Sequence, residues 1–447
     1  MKGSYEMMAS VRSLHIVMLT GVMGIGQTMG QVCPYTDPKC TCALYYNWVT
    51  CTGLQQIPPV NRGANVTYIQ YLQLEDGNIT SISKNSLPSG LIIFFIKGHP
   101  LTNISDDVFD HSADTLASVY ISGAKFNKLP TALKGLNTLS DLGLADTPIQ
   151  VWDAATLKHI AATVETLELI NVGLSAWPSW ISDFHLLRTI HFSSNSLKPI
   201  PDDAFSSITD TLTSLTLENT GWTEIPQALS TLTNLNHLDL SFSNFTDVST
   251  EVERIIGFPF AQKLSYLSLV AVGSPKIANF SNLTSLRLIR LDYNTISDVP
   301  VGSLPLSLSS LLLSNNILTS VPKDVANMFG LHTLDLNNNL ISEIEPRAFP
   351  SSLTYLGLDA NNLTIIDNTA FKNLSLLRNL RLDNNPIAVI SPAAFSDLVS
   401  LVTLSIIETH LTEIPLAFTR LSSKIDITFN TTQPLSCPCP APNDLVQ

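Results

Sequence analysis

The chain has 447 residues, of which 45% are hydrophobic and 14% are charged, and its formal net charge is −13. That hydrophobic content excludes an intrinsically disordered protein. The negative charge argues against nucleic acid and anionic membrane surfaces as partners and leaves proteins, glycans and cationic ligands as candidates.

Residues 1–30 have the features of a secretory signal peptide. Lys2 and Arg12 supply positive charge, and an apolar run from Leu14 to Gly26 follows them. The run is too short to span a bilayer comfortably, and no later segment of the sequence is long and apolar enough to do so. We therefore expect a secreted, extracellular protein without a membrane span, and an uncleaved signal anchor is the alternative.

Residues 31–66 contain four of the six cysteines and are predicted to form an N-terminal cap. The cysteines are Cys33, Cys40, Cys42 and Cys51. In an oxidising compartment, a small lid of this kind is held together by disulfides. Four cysteines allow three pairings, and their spacing alone does not choose between them.

An internal repeat occupies residues 67–430. The pattern L-x-x-L-x-L-x-x-N recurs about fifteen times, mostly at intervals of 22 to 25 residues, as in Leu331, Leu334, Leu336 and Asn339. The alternating leucines predict a short strand, and the repeats must stack because one repeat cannot bury its own apolar edge. The predicted fold class is an α/β leucine-rich-repeat solenoid. We expect a curved horseshoe with a parallel sheet on its concave face and irregular or 3-10 segments on its convex face.

The repeated asparagine is predicted to be buried at a turn, where its amide can hydrogen-bond the neighbouring backbone. In the first nine repeats only Asn195 keeps it, so we expect the N-terminal half to be less regular. Asn430 falls at this position in a degenerate last repeat and is predicted to be buried. The longest repeat predicts a small outward insertion around Val248 to Pro259. A recurring phenylalanine predicts a second buried stack, formed by Phe109, Phe205, Phe349, Phe371, Phe395 and Phe418.

Residues 431–447 contain the remaining cysteines, Cys437 and Cys439, and the sequence ends eight residues after the second. Cysteines one residue apart rarely bridge each other, because the geometry is strained. Two alternatives stay open: one of these thiols bonds to another chain, or the sequence lacks its true C-terminus.

The cysteine segments and the repeats together resemble animal extracellular leucine-rich-repeat proteins. The resemblance rests on Cys33-Pro34, Cys40-Thr41-Cys42 and Val49-Thr50-Cys51, followed by Leu54-Gln55-Gln56-Ile57-Pro58. It implies the disulfides Cys33–Cys42 and Cys40–Cys51, and it implies that residues 431–447 are the opening of an incomplete C-terminal cap. The chain also loosely resembles the non-catalytic leucine-rich-repeat subunit of a secreted shrimp luciferin monooxygenase.

The sequence contains none of the common catalytic, nucleotide-binding or metal-binding motifs, and its nine histidines are scattered without metal-ligand spacing. We therefore predict that the protein is not an enzyme and needs no metal or cofactor. A site assembled from several strands would leave no such motif, because function can be placed on any fold.

Two partner-binding patches are predicted on the concave face, where the middle residue of each strand points outward. The N-terminal patch is apolar and aromatic and includes Phe95 and Tyr120 beside Ile92 and Ile93. The C-terminal patch is rich in arginine and tyrosine, residue types that often anchor interfaces. Its candidate residues are Arg287, Arg290, Asp292, Tyr293, Asp335, Tyr355, Arg378 and Arg381, flanked by His332, Asp359 and Asp383. The alternative for this patch is a solvated face whose charges pair across strands.

Nine N-glycosylation sequons occur, and none lies at an outward strand position, which favours a concave face kept open for a partner. Eight are predicted to be modified: Asn65, Asn78, Asn103, Asn244, Asn279, Asn282, Asn362 and Asn373. The ninth, Asn430, is predicted to be unmodified. The first hypothesis is thus a secreted recognition or adhesion protein with one or more protein partners. The second is a non-catalytic subunit that stabilises a secreted enzyme.

Overall fold

The structure is a computed structural model that describes residues 33–43, 47–61 and 69–433. Its main element is one sheet of 18 strands, and the buried leucines, isoleucines and phenylalanines form one core behind it. The expected leucine-rich-repeat solenoid is therefore confirmed. The predicted signal peptide, Asn65, Cys437 and Cys439 lie outside the described residues.

The sheet begins with the antiparallel pair β1 and β2, and every later strand is added in parallel register to its predecessor. Each connection crosses the convex side, as parallel pairing requires. The bounds are β1 Cys40–Ala43, β2 Trp48–Thr52, β3 Tyr71–Glu75, β5 Ile93–Lys97, β7 Ser118–Ser122, β8 Asp141–Ala145, β9 Thr166–Ile170, β10 Thr189–His191, β11 Ser214–Thr216, β12 His237–Asp239, β13 Tyr266–Ser268, β14 Leu288–Arg290, β15 Ser310–Leu312, β16 Thr333–Asp335, β17 Tyr355–Gly357, β19 Asn379–Arg381, β21 Thr403–Thr409 and β22 Asp426–Thr431.

The convex side holds short strand pairs and single helical turns, as predicted. Two pairs, β4 with β6 and β18 with β20, comprise Ser81–Ile82, Asn103–Ile104, Ile365–Ile366 and Val389–Ile390. The 3-10 helices are Asp110–Ser112, Thr131–Gly135, Ser179–Asp183, Gln227–Thr231, Ala261–Lys263, Lys323–Asn327 and Leu416–Arg420. The two α-helices are α1 Ala154–Ile160 and α2 Val248–Ile256.

Helix α2 is the insertion expected in the longest repeat. Asp247 caps its N-terminus by accepting a hydrogen bond from the backbone N–H of Ser249. Val252 and Ile255 bury one face of the helix, and the Glu251 carboxylate accepts the backbone N–H of Ile225 at 2.6 Å. The insertion is thus bound to the preceding repeat and does not project freely.

The N-terminal cap contains the two disulfides that the resemblance implied, Cys33–Cys42 and Cys40–Cys51. Both involve the β1–β2 hairpin, in which Cys40 and Cys51 are opposite each other. Strand β2 then pairs with β3, the first strand of the repeats. The cap therefore covers the end of the solenoid core by extending the same sheet.

The buried asparagines join consecutive repeats, as predicted. The Asn339 side-chain oxygen accepts the backbone N–H of Leu318 at 2.9 Å, and its amide nitrogen donates to the carbonyl of Leu313 at 3.0 Å. Both partners lie in the preceding repeat, so each asparagine satisfies backbone groups that have left the sheet. Equivalent asparagines are Asn195, Asn294, Asn316, Asn361 and Asn385.

The expectation of a less regular N-terminal half is wrong for the sheet. Among the concave strands, those from β3 to β9 have five residues each, whereas those from β10 to β19 have three. Other side chains replace the asparagine there: His99 Nδ1 accepts the N–H of Ile79 at 3.1 Å, and Thr147 Oγ1 accepts that of Ala124 at 3.1 Å. One accepting atom is enough because the longer strands already satisfy more of the backbone.

The phenylalanine stack forms in the C-terminal repeats. The rings of Phe349, Phe371, Phe395 and Phe418 stack in sequence with centroids 6.0 to 6.4 Å apart. Phe109 instead packs edge-on against Phe94, and Phe205 packs edge-on against Trp177. The stack is continuous only where phenylalanine recurs in consecutive repeats.

Asn430 is exposed, which corrects the prediction that it is buried. In the last strand, Ile427 and Phe429 align with Leu404 and Ile406, so the repeat is registered two residues later than the sequence pattern suggested. The buried polar position therefore falls after Asn430. Its sequon is accessible in the structure, and the reason for expecting it to be unmodified is lost.

Candidate functional site

The concave face consists of parallel rows of side chains that run across the strands. The parallel register aligns the middle residues of the strands into one row from Gln73 to Ser405, as the sequence pattern predicted. In order, the row is Gln73, Phe95, Tyr120, Gly143, Glu168, His191, Thr216, Asp239, Ser268, Arg290, Leu312, Asp335, Gly357, Arg381 and Ser405. The residues two positions before and after form two further outward rows, because side chains alternate along a strand.

Asp292 is buried, which corrects its prediction as an exposed partner-binding residue. Its carboxylate accepts the backbone N–H and the hydroxyl of Ser314 in the next repeat, at 3.0 and 2.8 Å. Asp359 and Asp383 are buried in the same position and accept the N–H groups of Asp383 and Ile407. These aspartates therefore form a second set of bonds between repeats and belong to the scaffold.

The arginines in the middle row are held by these buried aspartates. Arg381 Nε lies 2.6 Å from Asp359 Oδ2, and its NH2 lies 3.8 Å from Asp383 Oδ2. Arg290 Nε lies 3.5 Å from Asp292 Oδ2, and two-thirds of the Arg290 side chain is buried. Arg290 and Arg381 therefore fit the alternative interpretation, in which the charges of this face pair across strands. Both side chains are still partly exposed to solvent.

Three other residues of the C-terminal patch are freely accessible. Arg287 and Arg378 are exposed on the residue just before their strands, and neither forms an ion pair with any described residue. Tyr293 is 52% exposed at the opposite end of the strand, in the turn after Asp292. The patch is therefore spread over both edges of the sheet and does not form one cluster.

Asp335 and Tyr355 are half-buried neighbours on β16 and β17. Burial raises the pKa of Asp335, and the nearby Asp292 and Asp359 carboxylates raise it further. Burial and the Asp335 charge likewise raise the pKa of Tyr355. The two residues, together with Arg381, form the polar centre of the C-terminal concave face.

Tyr120 is only 8% exposed, which corrects its prediction as part of an exposed patch. Its ring occupies the space beside Gly143, where an added Cβ would lie 2.2 Å from Tyr120 Cδ1. Burial raises the Tyr120 pKa, and the charges of Glu168 and Asp141 add to the shift. Phe95 remains half-buried on the neighbouring strand, so the N-terminal patch contains one accessible aromatic residue.

A polar cluster that the sequence did not single out lies at the centre of the concave face. Asp239 is buried and accepts hydrogen bonds from the N–H and hydroxyl of Ser241, at 3.0 and 2.6 Å. The Glu218 carboxyl hydrogen-bonds Asp239, and burial together with the Asp239 charge raises the pKa of Glu218 to about 7. The rings of His237 and Tyr266 stack beside them at 3.8 Å.

Burial keeps the histidines of this cluster neutral near pH 7. It lowers the pKa of His191 to about 4, and it also lowers the pKa of His237 despite the Asp239 charge. Their imidazoles therefore add hydrogen-bonding groups to the face without adding positive charge.

The sequence did contain a signal for this cluster. Glu218, His237 and Tyr266 belong to the two outer rows of the concave face, two residues from the middle of their strands. The same alternation that identified the middle row places these residues outward. What the sequence could not show is that neighbouring strands bring Glu218 next to Asp239.

The eight sequons within the described residues are exposed, and all of them except Asn430 lie off the concave strands. Two of them are in strands: Asn103 in β6, which pairs on the convex side, and Asn430 in β22, the last strand of the concave sheet. Asn430 is exposed two residues after Thr428, which aligns with Ser405 of the middle row, so the expectation that no sequon lies at an outward strand position is wrong for Asn430. Among the residues that the structure describes, no three His, Cys, Asp or Glu side chains are grouped so as to hold a metal ion. The described part of the chain also contains no helix with the length and apolar character needed to span a bilayer.

Comparisons with known proteins agree with this architecture. Residues 351–411 and 330–351 match leucine-rich-repeat family descriptions, and residues 181–253 match a BspA-type leucine-rich-repeat region. Podocan-like protein 1 of Mus musculus is 26% identical over 307 residues, which is 66% of this chain and 47% of that protein. The chain thus spans about half the length of this curated relative.

Solved structures share the fold at low sequence identity. The Toll–Spatzle complex of Drosophila matches with a TM-score of 0.58 and 19% identity, over 86% of this chain and 55% of that chain. A leucine-rich-repeat protein of Leptospira interrogans matches with a TM-score of 0.54 and 23% identity, over 81% and 84%. The repeat pattern, the continuous sheet and these matches together identify the chain as a leucine-rich-repeat protein with a disulfide-bonded N-terminal cap.

Proposed function

We propose that this protein is a secreted recognition or adhesion protein that binds a protein partner with its concave face. The observation that carries the proposal is the separation of all but one of the described sequons from this face. Seven of the eight sequons of the described residues are exposed elsewhere, and the eighth, Asn430, is in β22 at the last edge of the sheet. Glycans attached to the seven would leave the concave strands from β2 to β21 open.

The composition of the face supports protein binding. Arg287, Arg378 and Tyr293 are accessible on it, and arginine and tyrosine are enriched where protein interfaces derive most of their energy. Toll, which shares the fold, has been solved as a complex with Spatzle. A curved sheet of this length offers a continuous surface to a partner of similar size.

Secretion is supported by the two cap disulfides, because such bonds form and persist in oxidising compartments. The apolar run within residues 1–30 adds the sequence features of a signal peptide. We further propose that the protein acts by binding and not by catalysis. The polar groups of the concave face support this role, since most of them bond to the scaffold itself.

The proposal is tested by placing a glycan on the concave face. Leu312 lies in the middle row between Arg290 and Asp335, and Leu312→Asn creates a sequon with Leu313 and Ser314. We expect the wild-type protein to capture a specific extracellular partner and the glycosylated variant to lose it. Mass spectrometry of the captured proteins and of site 312 provides the measurement.

The matched control is Leu312→Gln, which introduces a similar amide without a sequon. It should retain the partner, so loss by Leu312→Asn alone assigns binding to the concave face. Equal capture by all three proteins, with site 312 fully glycosylated, would place binding on another surface and overturn the proposal.

A further inference from the structure

The central concave strands carry acidic residues without basic ones. From β7 to β13 the strands themselves contain no lysine or arginine, and the nearest arginine of the rows, Arg290, is on β14. Arg188, just before β10, is paired with Glu165 at 3.2 Å. Four acidic residues occupy outward strand positions in this region, and we call them the acidic stretch: Asp141, Glu168, Glu218 and Asp239. Asp141 and Glu218 are half-buried, and Glu168 and Asp239 are buried.

Two residues of the acidic stretch, Asp141 and Asp239, are held by neutral hydrogen-bond donors. Asp141 accepts from the hydroxyls of Ser118 and Ser140, and Asp239 accepts from Ser241. Within the described residues, Asp141, Glu218 and Asp239 form no ion pair. The raised pKa of Glu218 has the same origin, since its carboxyl is buried beside a second carboxyl and only Arg290 opposes the effect. A cation placed here would therefore be stabilised by the nearby negative charges.

A second, independent feature of this surface is the hydroxyl of Ser193. Ser193 is only 3% exposed, and its Oγ has no hydrogen-bond partner among the described residues. It lies two residues beyond β10, in the same row as Glu218 beyond β11. A buried hydroxyl without a partner is costly, so it marks a position where a bound group can be received.

Two exposed aromatic residues border the same region. Phe242 and Tyr293 are 50% and 52% exposed, and both occupy the left-handed turn that follows the outer row, with φ of 58° and 56°. Other repeats have Asn, Asp, Gly, Ser, Ala or Glu in this turn. Ala271 occupies the turn of the one repeat between the two aromatic residues and leaves a gap between their rings. Such rings can pack on the stems and charged heads of lysine and arginine.

We propose that the concave face from β8 to β14 binds a lysine- or arginine-bearing segment of a protein partner. The acidic stretch faces the positive charges, Ser193 lies beside Glu218 as an additional hydrogen-bonding group, and Phe242 and Tyr293 contact the side-chain stems. This inference rests on the proposed function and adds the chemistry of the partner. Because the acidic stretch is negatively charged, charge complementarity favours a basic segment over an acidic one.

The test uses the full-length secreted protein and a fluorescein-labelled hexa-arginine peptide, with a hexa-glutamate peptide as the opposite-charge probe. Binding is measured by fluorescence anisotropy at about 150 mM salt, where charges farther apart than a Debye length are screened. The double variant Asp141→Asn/Glu218→Gln should weaken hexa-arginine binding about tenfold, which corresponds to about 1.4 kcal/mol. Hexa-glutamate should not bind to either protein.

The control removes the same net charge elsewhere. Glu343 and Glu345 are exposed outside the concave strands, and Glu343→Gln/Glu345→Gln should change hexa-arginine affinity less than about twofold. Equal weakening by both double variants would show attraction to net charge only and overturn the proposal. Unchanged binding by the Asp141→Asn/Glu218→Gln variant would also overturn it.

A second pair of variants tests the aromatic border without endangering the fold. Phe242→Ser and Tyr293→Asn introduce residue types that other repeats already have in this turn. Together they should weaken hexa-arginine binding about fivefold, a change in the range of exposed cation–π contacts. The two proposals can fail separately. If glycosylation at site 312 abolishes capture of the partner but neither these variants nor Asp141→Asn/Glu218→Gln weaken hexa-arginine binding, the basic-segment inference is overturned and the proposed function stands.

Discussion

The strands from β7 to β13 and those from β14 to β19 belong to one sheet, but their charged side chains have different partners. In the C-terminal region, Arg290 and Arg381 are paired with aspartates that also accept backbone N–H groups. In the central region, Glu218 and Asp239 share a hydrogen bond with each other, and serine hydroxyls hold Asp239 and Asp141. One region thus uses its charges to join repeats, and the other leaves negative charge available to a partner.

The two regions also differ in how they satisfy the backbone behind the sheet. The C-terminal repeats use asparagines such as Asn339, each bonded to several backbone groups. The earlier repeats use single acceptors such as Thr147 behind longer strands. The same position of the repeat can therefore carry very different amounts of stabilisation.

The largest expected effect follows from this second difference. Asn339→Ala leaves the buried N–H of Leu318 without its acceptor, and it removes one of two amide donors from each of the carbonyls of Leu313 and Leu336. It should destabilise the protein by about 3 kcal/mol. Thr147→Val removes one acceptor and should cost about 1.5 kcal/mol. Urea unfolding followed by circular dichroism measures both, and equal losses would contradict the comparison.

A smaller effect is expected from breaking the charge pairing of the C-terminal region. Arg381→Ala leaves Asp359 and Asp383 buried without their cation and should cost about 2 kcal/mol after allowance for the half-exposed arginine. Arg378→Ala, three residues away and exposed, should change stability by less than about 0.5 kcal/mol. Indistinguishable unfolding midpoints for the two variants would show that the pairing is not structural.

The smallest effect concerns Glu218 and depends on pH. Its folded pKa of about 7 lies above the ordinary value of 4.5, so the folded protein retains a proton that the unfolded chain releases. The stability from this group is present at low pH and is lost as pH rises from 4.5 through 7. Glu218→Gln should therefore stabilise the protein by about 1 kcal/mol at pH 8 and have little effect at pH 4.

Thermal unfolding at the two pH values tests this prediction, with Glu343→Gln as an exposed control that should change little at either pH. Stabilisation by Glu218→Gln that is equal at pH 4 and pH 8 would contradict the proton shared with Asp239.

The repeat pattern alone predicted the fold, the parallel sheet and the register of the middle row, because the spacing of leucines fixes which residues face inward. The resemblance of the cysteine segment supplied both disulfides correctly. Asn430 was misplaced because the last repeat is degenerate, and a shift of two residues preserves the inward and outward faces. The period-two pattern cannot distinguish such registers.

Less of the candidate site could be predicted from the sequence. Alternation shows that Tyr120 and Asp292 leave the strand toward the concave side, but it does not show what covers them. Gly143 leaves room for the Tyr120 ring, and Ser314 of the next repeat holds the Asp292 carboxylate. Both depend on residues about one repeat away, which only the stacking brings into contact.

The sequence by itself thus determined the solenoid, its cap and its outward rows, since these follow from local periodicity and cysteine chemistry. Only the tertiary structure decided which outward residues are accessible, which charges are paired and where acidic groups remain without cations. The physical reason is that burial and electrostatic pairing are set by neighbouring strands about 4.8 Å apart. Glu218 and Asp239 are 21 positions apart in the chain, and the stacking of repeats makes them neighbours.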